Sequence, residues 1–187
     1  MLTRRHFIIT GGAVIASPAT LLAHGGPPHS APETMVARDV AVRDDVEPGS
    51  IHVFPRYFSI YYITAVGRAR EYHVAVGDQG RNLRGTTVVR RKAEWPSWTP
   101  TQNMIRREPE VYAKYAGGVP GGPDNPLGAR ALYLYRGRRD TMYRIHGTPQ
   151  PWTIGRAVSS GCIRLTNDDI IDLYDRVAIG SKVISYL

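Results

Sequence analysis

The 187-residue sequence contains a single cysteine, Cys162. Lipoprotein processing at the N-terminus is excluded, because the only thiol lies far downstream of it. The cysteine clusters that hold structural zinc are also missing, and His24 and His29 belong to no cluster of cysteines or carboxylates at ligand spacing. We therefore predict neither a metal site nor any other cofactor.

Long hydrophobic runs are missing as well. The most apolar stretch, Phe7 to Ala23, is broken by glycines and by Pro18, and it is too short for a comfortable membrane span. It follows the paired arginines Arg4-Arg5, and a charged start before an apolar segment is typical of a signal peptide, here resembling the twin-arginine kind. We predict a signal over residues 1–23, a periplasmic location, and membrane contact only during export. An uncleaved anchor is the alternative.

Acidic residues are scarce relative to basic ones. The chain has 16 Asp and Glu against 24 Lys and Arg, a formal net charge of +8. Such a balance often accompanies nucleic-acid binding, but an exported chain rarely meets nucleic acid, and the basic clusters lack a recognisable binding module. We predict no nucleic-acid partner and interpret these clusters as solvated faces attracted to anionic envelope polymers.

The sequence has no internal repeat and no sign of a second domain. Residues 24–49 are rich in Pro, Gly and Ala and have no sustained periodicity, which indicates a linker or an N-terminal arm. Residues 50–187 are long enough for one hydrophobic core. We therefore predict one catalytic domain over residues 50–187.

From Ile51 onward, short runs of aromatic and β-branched residues are separated by turn residues, which predicts strands. The candidate strands cover residues 57–63, 71–76, 86–90, 131–135, 141–145 and 182–187. One helix is predicted, capped by Thr166 or Asn167 and extending through Val177. The irregular but aromatic stretch from Trp95 to Pro126 favours an ordered lid over a cleft, with a mobile insertion as the alternative. The predicted fold is mainly β with one or two helices.

The surroundings of Cys162 indicate a reactive thiol. Gly161 precedes it and Arg164 follows it, and His146 lies upstream at the predicted end of a strand, where catalytic side chains are often presented. A thiolate attacks carbonyls, a histidine can take the thiol proton, and an arginine or backbone amides can lower the thiol pKa. Without a Cβ, Gly161 can adopt dihedrals that expose the cysteine and aim amides at an oxyanion. The alternatives are a buried structural cysteine and a structural histidine.

Three separated blocks extend this pattern. They are His146-Gly147-Thr148 together with Ser159-Ser160-Gly161-Cys162-Ile163-Arg164-Leu165, the stretch from Gly121 to Leu134, and the segment from Trp95 to Thr101. In this order they resemble the L,D-transpeptidase catalytic domain family, over a region from Ser50 to the C-terminus. Residues 82–86 depart from the Thr-Pro-x-Gly turn that is usual in the family, although Gly85 can still supply a positive φ.

The resemblance implies a β-sandwich-like catalytic fold and transpeptidation of peptidoglycan stem peptides. It implies that Cys162 attacks a carbonyl of a tetrapeptide donor, that D-alanine leaves, and that an acceptor amine resolves the thioester. His146 would be the general base and then the acid. The residues implied to orient His146, form the oxyanion site or contact substrate are Gly147, Ser160, Gly161 and Arg164.

The acceptor stays open at this stage. It can be a second stem peptide, an envelope protein or water, and water would make the enzyme an L,D-carboxypeptidase or amidase. A catalytically silent wall-binding module is the alternative from another class. The resemblance also implies that carbapenems acylate Cys162.

Overall fold

The computed structural model describes residues 4–8, 35–78 and 80–186. The strands are β1 (Arg38–Ala41), β2 (Ile51–Phe54), β3 (Ser59–Ala65), β4 (Arg68–His73), β5 (Val76–Gly77), β6 (Gly85–Glu94), β7 (Arg130–Arg136), β8 (Arg139–His146), β9 (Ala157–Ser159), β10 (Ile163–Arg164) and β11 (Lys182–Ser185). The α-helices are α1 (Arg4–Phe7), α2 (Gln102–Arg107), α3 (Pro109–Tyr112) and α4 (Asn167–Arg176). Most of the predicted signal, and with it His24 and His29, lies outside the described residues.

Nine strands form one sheet in the order β1-β4-β3-β2-β11-β6-β7-β8-β10, and β5 pairs with β9 separately. Within the large sheet, β11 runs parallel to β2 and β10 runs parallel to β8, whereas the other neighbours are antiparallel. Each of the six predicted strands overlaps an observed one. The predicted fold class, mainly β with few helices, is confirmed.

The sheet is covered on both faces. Because side chains alternate along a strand, Ile51 and Val53 of β2 enter the main core, whereas Phe54 enters a smaller core on the opposite face. The main core is completed by α4, which packs against β7, the sheet neighbour of β8. The smaller core includes Phe7 of α1.

Helix α4 begins where the sequence predicts it. The hydroxyl of Thr166 accepts a hydrogen bond from the amide of Asp169 at 3.1 Å, which caps the helix. Asp168 and Asp169 lie in the first turn, where negative charge suits the helix dipole. Ile170 and Leu173 are buried in the main core and hold the helix against the sheet.

Part of the predicted linker or arm belongs to the sheet. Strand β1 forms its edge and pairs antiparallel with β4, with Arg38 opposite Glu71 and Ala41 opposite Arg68. Only four residues long and mostly exposed, β1 carries no alternation that the sequence alone would reveal. Further along, Gly85 has φ +71°, so it supplies the positive φ expected of it.

The stretch from Trp95 to Pro126 contains α2 and α3, which were not predicted. The hydroxyl of Thr101 caps α2 by accepting from the amide of Met104 at 3.2 Å. The backbones of Trp98 and Val119 exchange two hydrogen bonds, of 2.9 and 2.7 Å, which close the base of the segment. These bonds favour the ordered-lid interpretation. Within the described ranges, no helix combines the length and the apolar character that crossing a membrane requires.

Candidate active site

The parallel pairing of β8 with β10 brings the two predicted catalytic residues to one place. His146 ends β8, and Cys162 directly precedes β10. Ile163 lies opposite Ile145 and Arg164 opposite His146, and the amide of Leu165 donates to the carbonyl of His146 at 2.9 Å. Both side chains line a single cleft of about 980 Å³.

His146 is a buried, neutral imidazole. The residue is 3% exposed, and its Nδ1 lies 2.5 Å from the carbonyl oxygen of Gly147. Since a carbonyl can only accept, Nδ1 carries the proton and Nε2 keeps its lone pair. Burial lowers the pKa of His146 to about 3, and the positive charge of Arg164 acts in the same direction. The predicted contact with Gly147 is therefore present, and His146 is in the protonation state that a base requires.

Cys162 is half-buried and its thiol is neutral at rest. Burial raises the pKa of Cys162, against the opposing effects of the backbone N–H of Arg144 and of the positive charges of Arg144 and Arg164. The thiol donates to the carbonyl oxygen of Met142, with Sγ to O at 3.8 Å. The nearby cations and amide act in the direction that the sequence suggests, but burial outweighs them.

Gly161 is required by the shape of the cysteine loop. Its φ is +130°, and a Cβ here would lie only 2.8 Å from the carbonyl oxygen of Arg81 and from the ring of Tyr143. Its amide donates to the hydroxyl of Ser159 at 3.1 Å, and that hydroxyl donates to the carbonyl of Cys162 at 2.6 Å. In this state the Gly161 amide is thus engaged within the loop rather than aimed into the cleft.

Ser160 connects the cysteine loop to the lid. Its hydroxyl accepts a hydrogen bond from Nη2 of Arg107 at 3.1 Å, and the hydroxyl of Tyr112 lies 3.4 Å away. Arg107 also pairs with Glu108, at 2.9 Å. Sequence reasoning identified Ser160 but missed Arg107 and Tyr112, because nothing in a basic residue or a tyrosine within an irregular segment indicates which loop it contacts.

Arg164 is a cation held at the cleft wall. Its backbone is fixed by two hydrogen bonds of 2.9 Å with Ala75, which leaves the side chain free to line the cleft. Its Nε is buried without a hydrogen-bond partner in the part of the chain that the structure describes, and burial lowers the pKa of the guanidinium. Because Arg164 lines the cleft, its guanidinium is suited to bind an anionic group of a ligand.

A second arginine of the cleft, Arg144, was missed. Its guanidinium binds both carboxylate oxygens of Asp140, at 2.7 and 2.9 Å, and lies 4.3 Å from the ring centre of Tyr133. Asp140 also accepts from the amide of Met142 at 2.7 Å, which holds Met142 at its positive φ of 64°. Because Arg144 offers its backbone N–H to the thiol and Met142 its carbonyl, this ion pair shapes the surroundings of Cys162.

No set of three or more His, Cys, Asp or Glu residues is placed to bind a metal ion among the residues described. The residues that the cleft gathers are a nucleophile candidate, a base candidate, two arginines and the lid. Their combination suits attack on a carbonyl beside an anionic group.

Comparison with known proteins agrees with this chemistry. Residues 48–184 match the sequence model of the L,D-transpeptidase catalytic domain. The probable L,D-transpeptidase ErfK/SrfK of Escherichia coli K12 is 35% identical over 158 residues, which cover 83% of this chain and 49% of that protein. The chain spans about half the length of the curated relatives that it matches.

Solved structures are also similar. A Brucella melitensis protein described as a probable carnitine operon oxidoreductase is 45% identical, with a TM-score of 0.57, covering 80% of this chain and 92% of that one. An Enterococcus faecium L,D-transpeptidase is 16% identical, with a TM-score of 0.53, covering 75% of this chain and 50% of that one, which supports the fold alone. On the family match and the identity to curated relatives, this chain belongs to the L,D-transpeptidase catalytic domain family.

Proposed function

We propose that this protein is a cysteine acyltransferase, an L,D-transpeptidase that acts on peptidoglycan stem peptides through a thioester on Cys162. The observation that carries the proposal is the β8–β10 pairing, which puts the Cys162 thiol on the same cleft as the His146 imidazole, whose Nδ1 is bound to the Gly147 carbonyl. Family membership supports the same reaction.

Acylation begins when the proton of Cys162 moves to Nε2 of His146 while Sγ forms a bond to the donor carbonyl carbon. The imidazolium then protonates the departing D-alanine amine as the C–N bond breaks, which leaves a thioester on Sγ. An acceptor amine attacks that thioester, His146 takes its extra proton and returns it to Sγ, and the thiol is restored. Because both groups are neutral at rest, the first proton moves during the attack rather than before it.

The remaining predicted residues take supporting roles in this proposal. The carbonyl of Gly147 keeps the imidazole in the tautomer that accepts at Nε2. The amides of Gly161 and Cys162 bind the oxyanion, which requires the Gly161 amide to exchange its present Ser159 partner. Arg164, which lines the cleft, binds a carboxylate of the substrate through its guanidinium, and Ser160 holds the lid against the loop.

The second candidate is hydrolysis of the same thioester, by an L,D-carboxypeptidase or amidase, because water can replace the acceptor amine. An oxidoreductase, as the Brucella melitensis protein is described, is less well supported. Dinucleotide-binding folds use a mostly parallel sheet with a glycine-rich strand-to-helix turn. The large sheet described above is mostly antiparallel.

We further propose that the protein is exported to the periplasm by the twin-arginine route, with a signal over residues 1–23, an arm over 24–49 and the catalytic domain over 50–187. Strand β1 joins residues 38–41 of that arm to the sheet, so this part of the arm belongs to the folded unit. Substitution of Arg4→Lys together with Arg5→Lys is expected to retain the precursor in the cytoplasm. Normal periplasmic accumulation of this variant would contradict the route.

Purified protein incubated with defined tetrapeptide muropeptides, with products identified by mass, tests the activity. Cross-linked dimers with loss of D-alanine are expected, whereas tripeptides alone would indicate hydrolysis. Cys162→Ala should abolish both products while remaining folded. His146→Gln should slow acylation by about two to four orders of magnitude, the usual effect of a positioned acid-base group. The matched control is His73→Gln, since His73 lies on β4 and does not line the cleft.

A further inference from the structure

A second candidate site lies on the face of the sheet opposite the main core, and residues 4–8 of the chain occupy it. Phe7 is completely buried there, although it belongs to a helix of only four residues. Its ring lies 5.0 Å from the ring of His52, 5.3 Å from that of Phe54 and 5.2 Å from that of Tyr61, centre to centre. An aromatic pocket therefore receives one aromatic side chain.

The same site contains a buried carboxylate that binds Arg4. The Glu71 side chain has no exposed surface, and its Oε1 accepts from Nη2 of Arg4 at 2.7 Å and from the hydroxyl of Tyr61 at 2.6 Å. Nε of Arg4 donates to the same Tyr61 hydroxyl at 2.7 Å, and the guanidinium lies 5.2 Å from the ring centre of Tyr57. Arg38 binds the second oxygen of Glu71 at 2.8 Å.

Glu71 is charged in this arrangement. Burial alone raises the pKa of a carboxyl, but hydrogen bonds from Tyr61, Arg38 and Arg4 outweigh burial and hold the pKa of Glu71 at about 2. Of the two arginines, Arg38 is 63% exposed in its side chain and Arg4 only 28%, so Arg4 supplies the more buried partner. A buried anion with one cation removed is costly, which makes the site selective for a cationic occupant.

Backbone contacts fix the direction of the occupant. The amide of Arg43 donates to the carbonyl of Phe7 at 3.1 Å, and Ile8 forms an antiparallel bridge with Val42. Phe7 and Ile8 therefore pair with Val42 and Arg43, the two residues that directly follow β1. Because residues three apart lie on the same side of a helical turn, Arg4 and Phe7 reach the carboxylate and the aromatic pocket together.

We propose that this face is a binding site for a peptide segment with an arginine and a phenylalanine three residues apart, and that residues 4–8 of this chain are its ligand. Arg4 is one of the paired arginines of the proposed export signal. While the segment is docked, Arg4 is not accessible to a receptor that binds the paired arginines. The folded domain therefore competes with that receptor for the signal of its own chain. The inference is independent of the proposed transpeptidase activity.

A labelled synthetic peptide of residues 3–8 tests the site by fluorescence anisotropy with the full-length chain. The chain that carries Arg4→Ala and Phe7→Ala should bind this peptide at least about tenfold more tightly than the wild type, whose site is already filled. Peptides with Arg4→Ala or Phe7→Ala should bind that double variant at least about tenfold more weakly than the parent peptide. The matched control peptide carries Arg5→Ala, which has the same net charge as the Arg4→Ala peptide.

Equal binding of the Arg4→Ala and Arg5→Ala peptides to the double variant would overturn the proposal. So would a parent peptide that does not bind the double variant. A second measurement has a wild-type arm that requires no variant to fold. In the wild-type chain, hydrogen exchange of the Arg43 amide should be slowed by its bond to Phe7, and the same amide should exchange at the rate of exposed amides in Phe7→Ala. Fast exchange of the Arg43 amide in the wild type would mean that the segment is not docked.

Discussion

The resting pair of Cys162 and His146 should behave as two neutral groups rather than as a thiolate–imidazolium ion pair. Burial raises the pKa of the thiol and lowers the pKa of the imidazole to about 3, so each group is held in its uncharged form at neutral pH. Alkylation of the single thiol by iodoacetamide reports its thiolate fraction directly. The perturbation is pH, and the comparison is between the wild type and His146→Ala.

The expected difference in alkylation rate follows from the raised pKa of the thiol. A thiol with a pKa above the ordinary value of about 8.5 has less than about 3% thiolate at pH 7. Its alkylation rate should rise about tenfold per pH unit through neutral pH and level off only above the raised pKa of the thiol. An ion pair would instead be mostly thiolate over the whole range between its two pKa values, so its rate would already be level near pH 6. The two cases differ by about thirtyfold or more at pH 7, relative to the plateau.

The assay follows the mass of the intact protein after timed exposure between pH 5 and pH 10. Each rate is expressed relative to the plateau of the same protein, so limited access to the half-buried thiol cancels. Because a neutral imidazole contributes little to thiolate stability, His146→Ala should change the relative rate at pH 7 by less than about threefold. His73→Ala is the matched control. A level rate from pH 5 to pH 8 that collapses in His146→Ala would refute the reasoning.

Three further predictions use the same protein. Thr166→Ala should lower the free energy of unfolding by about 1 kcal/mol through loss of the α4 cap, measured by urea denaturation, while Thr166→Ser keeps most of it; equal losses would exclude the cap as the cause. Gly161→Ala should sharply reduce turnover of muropeptides, whereas Gly180→Ala, also at positive φ but with nothing near its added Cβ, should not. A carbapenem should give one adduct by intact mass, absent from Cys162→Ser; an adduct on a serine would reject Cys162 as the accessible nucleophile.

The strand that ends at His146 and the glycine-dependent loop before Cys162 could be predicted from the sequence, because both depend on local patterns. A run of β-branched and aromatic residues ends at His146, and the glycine before Cys162 is needed where the backbone takes φ +130°. The capped helix after the cysteine follows from Thr166 and from the spacing of Ile170 and Leu173. Each of these signals lies within a few residues of the feature that it predicts.

The features that the sequence did not reveal depend on contacts between distant segments. The Asp140–Arg144 pair, which shapes the surroundings of Cys162, lies where the pairing of β8 with β7 shifts register, and the residue types do not specify that shift. The sign of the thiol shift depends on how far the lid and the neighbouring strands bury Cys162, which composition does not give. The contact of Arg107 with Ser160 likewise requires knowledge of how the lid folds.

The parallel β8–β10 pairing separates the spacing of the two reacting groups from the shape of the cleft wall. A single loop that carried both groups would couple these two properties. The spacing between the reacting groups is set by hydrogen bonds within the sheet, such as the 2.9 Å bond from Leu165 to His146, and not by the residues that connect them. The connection over residues 147–161 instead supplies part of the cleft wall, including Thr148 and Gln150. Since the entropy of closing a loop grows only slowly with its length, the part of this connection that lies between Gly147 and β9 can be lengthened or rebuilt at modest cost. Substrate preference can thus be redesigned in the connecting loop while the sheet keeps the nucleophile and the base in register.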